Sequence, residues 1–279
     1  MKNSLQLIKA ETFKTLHSRP GIFVVPNAWD AGSAKMLASL GFEALATTSA
    51  GLAFSLGKPD GVQAVTREET FENVNMIVAA TNLPVSADLE NGFGDDPETC
   101  GETILLAAKA GLVGCTLEDT TGKPDDPILP FELSVNRIKT AAKAARSLSF
   151  PFTLTARAEN LIYGRQDLND TIKRLQAFAD AGADVLFAPG LKTKLEIKTV
   201  VKAVAPWPLN VIIGLSNVNF SLNELEDLGV KRISVGSALA RAAYGAFFRA
   251  AKEIIQKGSF NFSSEAITYD EANALFKSL

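Results

Sequence analysis

Short β-branched runs alternate with longer amphipathic stretches along this chain, and that alternation limits the available folds more than any other feature. The runs IFVVPNA (22–28), ALATTS (44–49), LPVSADLE (83–90), GCTLEDT (114–120), FTLTARAE (152–159), VLFAPG (185–190), LNVIIG (209–214) and RISVGS (232–237) read as eight strands. Between them lie segments such as DAGSAKMLASLGF, REETFENVNMIVAAT, PETCGETILLAAKAG, ELSVNRIKTAAKAARSL and LNDTIKRLQAFADAGAD. Their apolar positions recur at three and four residues, the spacing of one helix face. SLGFEAL, KAGLVGC, DAGADVL and DLGVKRI each place a Gly where a left-handed residue would close a helix ahead of the next strand. Strands separated by helices cannot be hairpins; they run parallel, with helices over the sheet. Eight such units in 279 residues fit a closed (β/α)8 barrel. A doubly wound open sheet is the competing architecture, but VVPNAWDAGS after the first strand lacks the Gly-rich dinucleotide turn. The chain 1–279 thus reads as a single α/β barrel domain, with 238–279 as a C-terminal helical extension. ALARAAYGAFFRAAKEIIQKG and SEAITYDEANALFKSL both read as helices there. A barrel needs only one helix after its last strand, so the second must dock elsewhere. An apolar stripe left exposed would favour a homo-oligomer.

The charge balance, 28 basic against 31 acidic residues, leaves no footprint for nucleic acid or an acidic membrane surface. No apolar run approaches the roughly 18–20 residues that span a bilayer, and MKNSLQLIKAETFKTL reads as a helix rather than a leader. Cys100 and Cys115 are the only cysteines, as expected of free buried thiols in a reducing, cytoplasmic setting. His17 is the only histidine and lies in the charged first helix. Zinc and Ser-His-Asp chemistry are therefore poorly served. Carboxylates, Arg, Lys, hydroxyls or a hard metal must carry any reaction.

In a barrel of this kind, catalytic groups sit where strands run out into the following loops. The polar residues at those ends include Asn27, Trp29 and Asp30; Thr47, Thr48, Ser49 and Gly51; Asp88 and Glu90; Glu118 and Asp119; Arg157 and Glu159; Asn210; and Ser237, with Asp60 further along the second loop. Asp88 and Glu90 lie two apart, so on a strand both point to one face. Several carboxylates cannot stay ionised in one cleft without a cation. Oxygen ligands alone suit Mg2+ or Mn2+, with Asp88 as the direct ligand and Glu90 and Glu118 acting through waters. Arg157 would bind the anionic end of a substrate, and TTSAGL offers hydroxyls and backbone N–H groups to a second anionic group. Plainer roles stay open: caps or ion-pair partners for Asp88, Glu90 and Arg157, a solvated face for Glu118 and Asp119, and a tight turn for TTSAG. Asp95, Asp96 and Glu98 read as the cap and first-turn charges of the next helix.

The motifs VPNAWDAGSAKMLASLGFEALATTSAG, SLGKPDG, SADLENGFGD, TLEDT, TARAE and GVKRISVGSALARAAYGA resemble the isocitrate lyase / phosphoenolpyruvate mutase superfamily, from about Phe23 to Phe248. The resemblance implies a Mg2+-dependent barrel whose last helix is swapped between subunits of a dimer or tetramer. It also implies small carboxylate substrates that are 2-oxo acids or yield them through a metal-stabilised pyruvate enolate. Carried over by motif, Asp88 is the metal ligand, with Asp60, Glu90 and Glu118 acting through waters. Thr48, Ser49, Ala50 and Gly51 cradle the substrate carboxylate, and Trp29 walls the pocket. Arg157 contacts the substrate, Glu159 steadies Arg157, and Asn210 faces the pocket. Arg157, Glu118 and Asp60 form the catalytic set.

The chain departs from the pattern in two places. Lyases of the superfamily carry a Cys-Gly-His gate after the fourth strand; here EDTTGKPDDPILPFEL has neither Cys nor His. The mutases and phosphonopyruvate hydrolases use Lys and Asn in that loop; Lys123 is present and the Asn is not, and Pro189 stands where His or Glu is common. The expected reaction is therefore decarboxylation or related C–C cleavage of an oxaloacetate-like acid, since CO2 departs without a strong acid on the leaving group. P–C cleavage, cleavage of a substituted malate such as 2-methylisocitrate, and a non-catalytic 2-oxo-acid binding protein are the alternatives. Tyr163 or water would return the proton.

Overall fold

The computed structural model describes residues 2–215 and 219–277. Nine β segments among them pair only in parallel: β1 (Phe23–Val25), β2 (Asn27–Ala28), β3 (Leu45–Thr47), β4 (Val85–Asp88), β5 (Gly114–Glu118), β6 (Thr153–Arg157), β7 (Val185–Phe187), β8 (Leu209–Ile212) and β9 (Arg232–Ser234). The order β1-β9-β8-β7-β6-β5-β4-β3-β2 begins and ends on one pass of the chain. That pass is divided at Pro26, which has no N–H for a ladder. β1 pairs with β9 and β2 with β3, so eight passes close a TIM barrel, as the sequence predicts.

The outer helices are α2 (Ala31–Ser39), α3 (Ser49–Ser55), α4 (Arg67–Ala79), α5 (Pro97–Lys109), α6 (Phe131–Arg146), α7 (Leu168–Asp180), α8 (Lys194–Val204) and α9 (Leu222–Asp227). The four helix-closing glycines all take left-handed backbones: Gly41 at φ +85°, Gly111 at +94°, Gly182 at +105° and Gly229 at +87°. Asp96 caps α5 by accepting from the Thr99 amide at 2.8 Å, and Glu98 lies in its first turn. The main core lies between sheet and helices, with Leu117, Leu154 and Leu186 packed among Ile77, Ile104 and Leu175.

A second cluster joins Ala10, Phe13 and Leu16 of α1 (Lys2–Ser18) to Phe23, Val25 and Val113 at the starts of strands. α1 therefore covers the amino end of the barrel and leaves the carboxyl rim free for chemistry. His17 belongs to this cover. Its Nδ1 lies 2.8 Å from the Phe13 carbonyl, and its ring meets Phe13 and Phe23 edge to face. Burial, then Arg232, pushes its pKa down to about 3.

Each barrel pass is shorter than the run expected for it, and two of these differences bear on the site. The run 83–90 leaves the sheet after Asp88, and Glu90 is left-handed at φ +48°, so the two side chains are not strand neighbours on one face. The run 44–49 ends at Thr47, because Thr48 accepts from the Gly51 amide and starts α3. At the C-terminus, α10 (Ala238–Lys257) matches its expected span, but only Ala240 on it is buried. The next expected helix is a short 3-10 turn followed by α11 (Tyr269–Phe276), which Thr268 and Glu271 cap reciprocally. α11 rests on α2. No helix among the described residues is long and apolar enough to cross a membrane.

Candidate active site

The rim is built from three neighbouring strands, of which β5 and β6 stop in register while β4 ends opposite Thr116, two residues earlier. Glu118 and Arg157 are paired as the last residues of β5 and β6, and Asp88 closes β4 beside them. The Arg157 guanidinium lies among carboxylates. Its Nε donates to Glu159 Oε1, and Nη1 is 3.2 Å from Glu118 Oε2 and 3.8 Å from Asp88 Oδ1. Its plane also stands 5.2 Å from the Phe187 ring centre. Burial opposes this charge, but Glu159, Glu118 and Asp88 outweigh it and hold the guanidinium above its ordinary pKa.

Each acidic group has its own support. Asp88 Oδ2 accepts from the Ser49 hydroxyl at 2.9 Å and the Ser49 amide at 3.2 Å, and the Asp88 amide donates to Thr47 Oγ1 at 3.0 Å. Glu118 Oε1 accepts from Thr120 Oγ1 at 2.7 Å. Burial raises the Glu118 pKa against the pull of Arg157. Burial, then Asp88 and Glu118, pushes Glu90 up to about 8. Burial also pushes Glu159 up to about 8, and burial followed by Asp88 raises Asp60. These shared repulsions bring Asp60, Asp88, Glu90, Glu118 and Glu159 into one electrostatic cluster around a single guanidinium.

Other candidates occupy less direct places. Thr48 and Ser49 open α3, and the Ser49 donors are turned onto Asp88. A Cβ on Gly51 would come within 2.6 Å of Thr48 Cγ2 and 2.9 Å of Trp29 Cβ, which keeps Trp29 against this turn. Ala50 follows in the same turn. Asn210 is fully buried inside the barrel below the rim. Its Oδ1 accepts from Arg232 Nε at 2.8 Å and its Nδ2 donates to Ser234 Oγ at 3.0 Å. A cavity of about 50 Å3 connects that floor, through Ser86 and Thr116, to Asp88 and Arg157. Asp119 points away from the cleft, where it accepts from Arg174 Nη1 at 3.0 Å and the Glu159 amide at 2.9 Å. Tyr163 is exposed at the surface over 38% of its area, yet partial burial, then Glu118 and Glu159, pushes its pKa up to about 12.

Among the described residues no three His, Cys, Asp or Glu side chains converge as a ready-made metal cage. The donor set still fits a hard divalent cation. Five neighbouring carboxylates share one arginine, and Mg2+ needs only one or two of them directly because it keeps several waters. Asp88, Asp60, Glu90 and Glu118 are the carboxylates that could hold such a cation, directly or through its waters. The sequence reading missed Arg137, Arg174, Phe187 and Arg232, whose partners come from distant segments.

A family model for phosphoenolpyruvate phosphomutase matches residues 13–255. A crystal structure from Burkholderia cenocepacia J2315, provisionally named a lyase/mutase, is 56% identical with a TM-score of 0.96, over 99% of this chain and 98% of that one. An oxaloacetate decarboxylase of Bradyrhizobium diazoefficiens is 30% identical over 70% of this chain and 68% of its own. A 2-methylisocitrate lyase of Bacillus subtilis is 28% identical over 87% of this chain and 80% of its own.

Proposed function

Because the chain belongs to the isocitrate lyase / phosphoenolpyruvate mutase superfamily and is a carbon–carbon lyase of that kind, we propose that it decarboxylates a short 2-oxo acid of the oxaloacetate type. The observation that carries this reading is the placement of Arg157 among Asp88, Glu118 and Glu159, under a 119–130 loop that holds neither His nor Cys. Such a site can stabilise negative charge but offers the leaving group no strong acid, and CO2 needs none.

A divalent cation held by Asp88, with Asp60, Glu90 and Glu118 on its waters, would supply Lewis acidity toward the substrate carboxylate and 2-oxo oxygens. The turn through Thr48, Ser49, Ala50 and Gly51 receives the C1 carboxylate, with Ser49 exchanging its bonds to Asp88 for the substrate, and Trp29 limits the pocket. The bond from C3 to the departing carboxylate breaks, and its electron pair moves toward the 2-oxo oxygen. Arg157 faces that developing charge, steadied by Glu159. Tyr163 keeps its proton near neutral pH, so Oη or a water can return one to C3. Asn210 holds the floor through Arg232. Purified protein with oxaloacetate and Mg2+ should release pyruvate, and Asp88→Ala should lower turnover by about 10²-fold or more. Equal turnover by the two proteins would end this reading.

Glu90 favours a second reading, because a 2-hydroxy acid such as 2-methylisocitrate needs a base for its hydroxyl proton and this carboxylate stands near Asp88 and Glu118, with its pKa raised by burial and by both. Pyruvate and succinate released from that acid, with oxaloacetate inert, would select it. We assign the exposed face of α10 to exchange between subunits of a homo-oligomer.

A further inference from the structure

Arg137 projects from the buried face of α6 and is 2% exposed, and among the described residues its guanidinium forms no ion pair within 4 Å but donates to three backbone carbonyls. Nη2 donates to the carbonyls of Asn91 and of Gly94, the latter at 3.1 Å, and Nη1 donates to the Glu118 carbonyl at 3.3 Å. Its Nε has no acceptor. A buried guanidinium without a carboxylate is costly, and one that uses its fork on carbonyls of two segments fixes their spacing.

Those segments carry the rim. Asn91 and Gly94 lie in the loop after β4, where Glu90, Gly92 and Phe93 are left-handed at φ +48°, +77° and +65°. Non-glycine residues in that region persist only where surrounding contacts hold them. The loop has further ties: the Glu118 amide donates to the Glu90 carbonyl at 2.9 Å, Asn91 Nδ2 to the Thr120 carbonyl at 3.3 Å, and Thr103 Oγ1 to the Gly92 carbonyl at 2.9 Å. Arg137 joins the same loop to the end of β5 from behind.

We infer that Arg137 is a positioning residue for the acidic rim: it gathers the segments bearing Glu90 and Glu118 into the spacing that a divalent cation requires. The inference rests on the reading above that this rim holds such a cation. The test is Mn2+ titrated into the full chain without substrate, with free Mn2+ followed by electron paramagnetic resonance. Arg137→Met should weaken Mn2+ binding about tenfold or more. Arg137→Lys keeps the charge but not the fork, and should weaken it several-fold. Val200→Ala, a core truncation on α8, should lower the melting temperature and leave Mn2+ affinity unchanged. A folded Arg137→Met protein that binds Mn2+ like the wild type overturns the inference. If that variant does not fold, wild-type affinity in Arg137→Lys overturns it. Equal loss in Val200→Ala also overturns it, because it would mark a general effect of stability. A wild-type chain that binds no Mn2+ ends the cation reading itself, and this inference with it.

Discussion

Arg157 contributes to the fold and to the proposed chemistry through the same contacts. Glu159 is 1% exposed and the Glu118 side chain 13%, so removing the cation between them leaves negative charge in a largely enclosed site uncompensated. Arg157→Met is expected to lower stability by about 3–5 kcal/mol in urea unfolding, and to abolish measurable turnover. Arg157→Lys should recover part of the stability and little activity, because a point charge cannot serve Glu159 and Glu118 as a planar fork does. Wild-type stability in Arg157→Met would show the carboxylates to be protonated or solvated instead. Asp88, Glu118, Arg157 and Glu159 were legible in the sequence because each stands at the end of a β-branched run. Asp119 and Asn210 stood in the same list, but their partners were not legible. Asp119 finds Arg174 across 55 positions and Asn210 finds Arg232 across 22, and no local pattern encodes such pairs.

Among the elements, the closing glycines show how much backbone chemistry the sequence carries. Gly41 and Gly182 both end helices in the left-handed region, but a Cβ on Gly41 would meet open space, whereas one on Gly182 would lie 2.9 Å from Ala142 Cβ. Gly41→Ala should therefore cost only the backbone strain, about 1 kcal/mol, and Gly182→Ala should exceed it by about another 1 kcal/mol because α6 must give way. Thermal unfolding of the two variants checks the order; equal losses would mean that α6 yields freely. The eight barrel passes were readable because apolar runs, helical spacing and glycine stops agreed. α3 was not, since its Ser-Ala-Gly opening carries no amphipathic period. The departure of Glu90 from β4 was hidden too, because its carbonyl is held by the Glu118 amide and the next carbonyl, of Asn91, by Arg137, both remote in sequence.

At the scale of the molecule, the two ends of the barrel have different surroundings: α1 covers the amino end and the acidic rim lies at the other. α10 fits neither arrangement. It is a 20-residue helix with one buried residue, and Phe247, Phe248 and Ile255 are 71%, 61% and 83% exposed. In proteins most helical stability comes from a packed face. Each of these side chains would contribute about 1.5–3 kcal/mol on burial. Since α11 returns to α2 and leaves this face uncovered, the proposed exchange of α10 with a second copy supplies the missing surface. Phe247→Glu combined with Ile255→Glu places charge on that face without touching the barrel core. Light scattering coupled to size exclusion should show the wild type at a multiple of the 29.7 kDa chain and the double variant shifted toward one chain, with unchanged circular dichroism. An unshifted mass would place the contact elsewhere on the molecule, and a wild type that elutes as one chain would leave α10 to be stabilised by its own alanine-rich sequence.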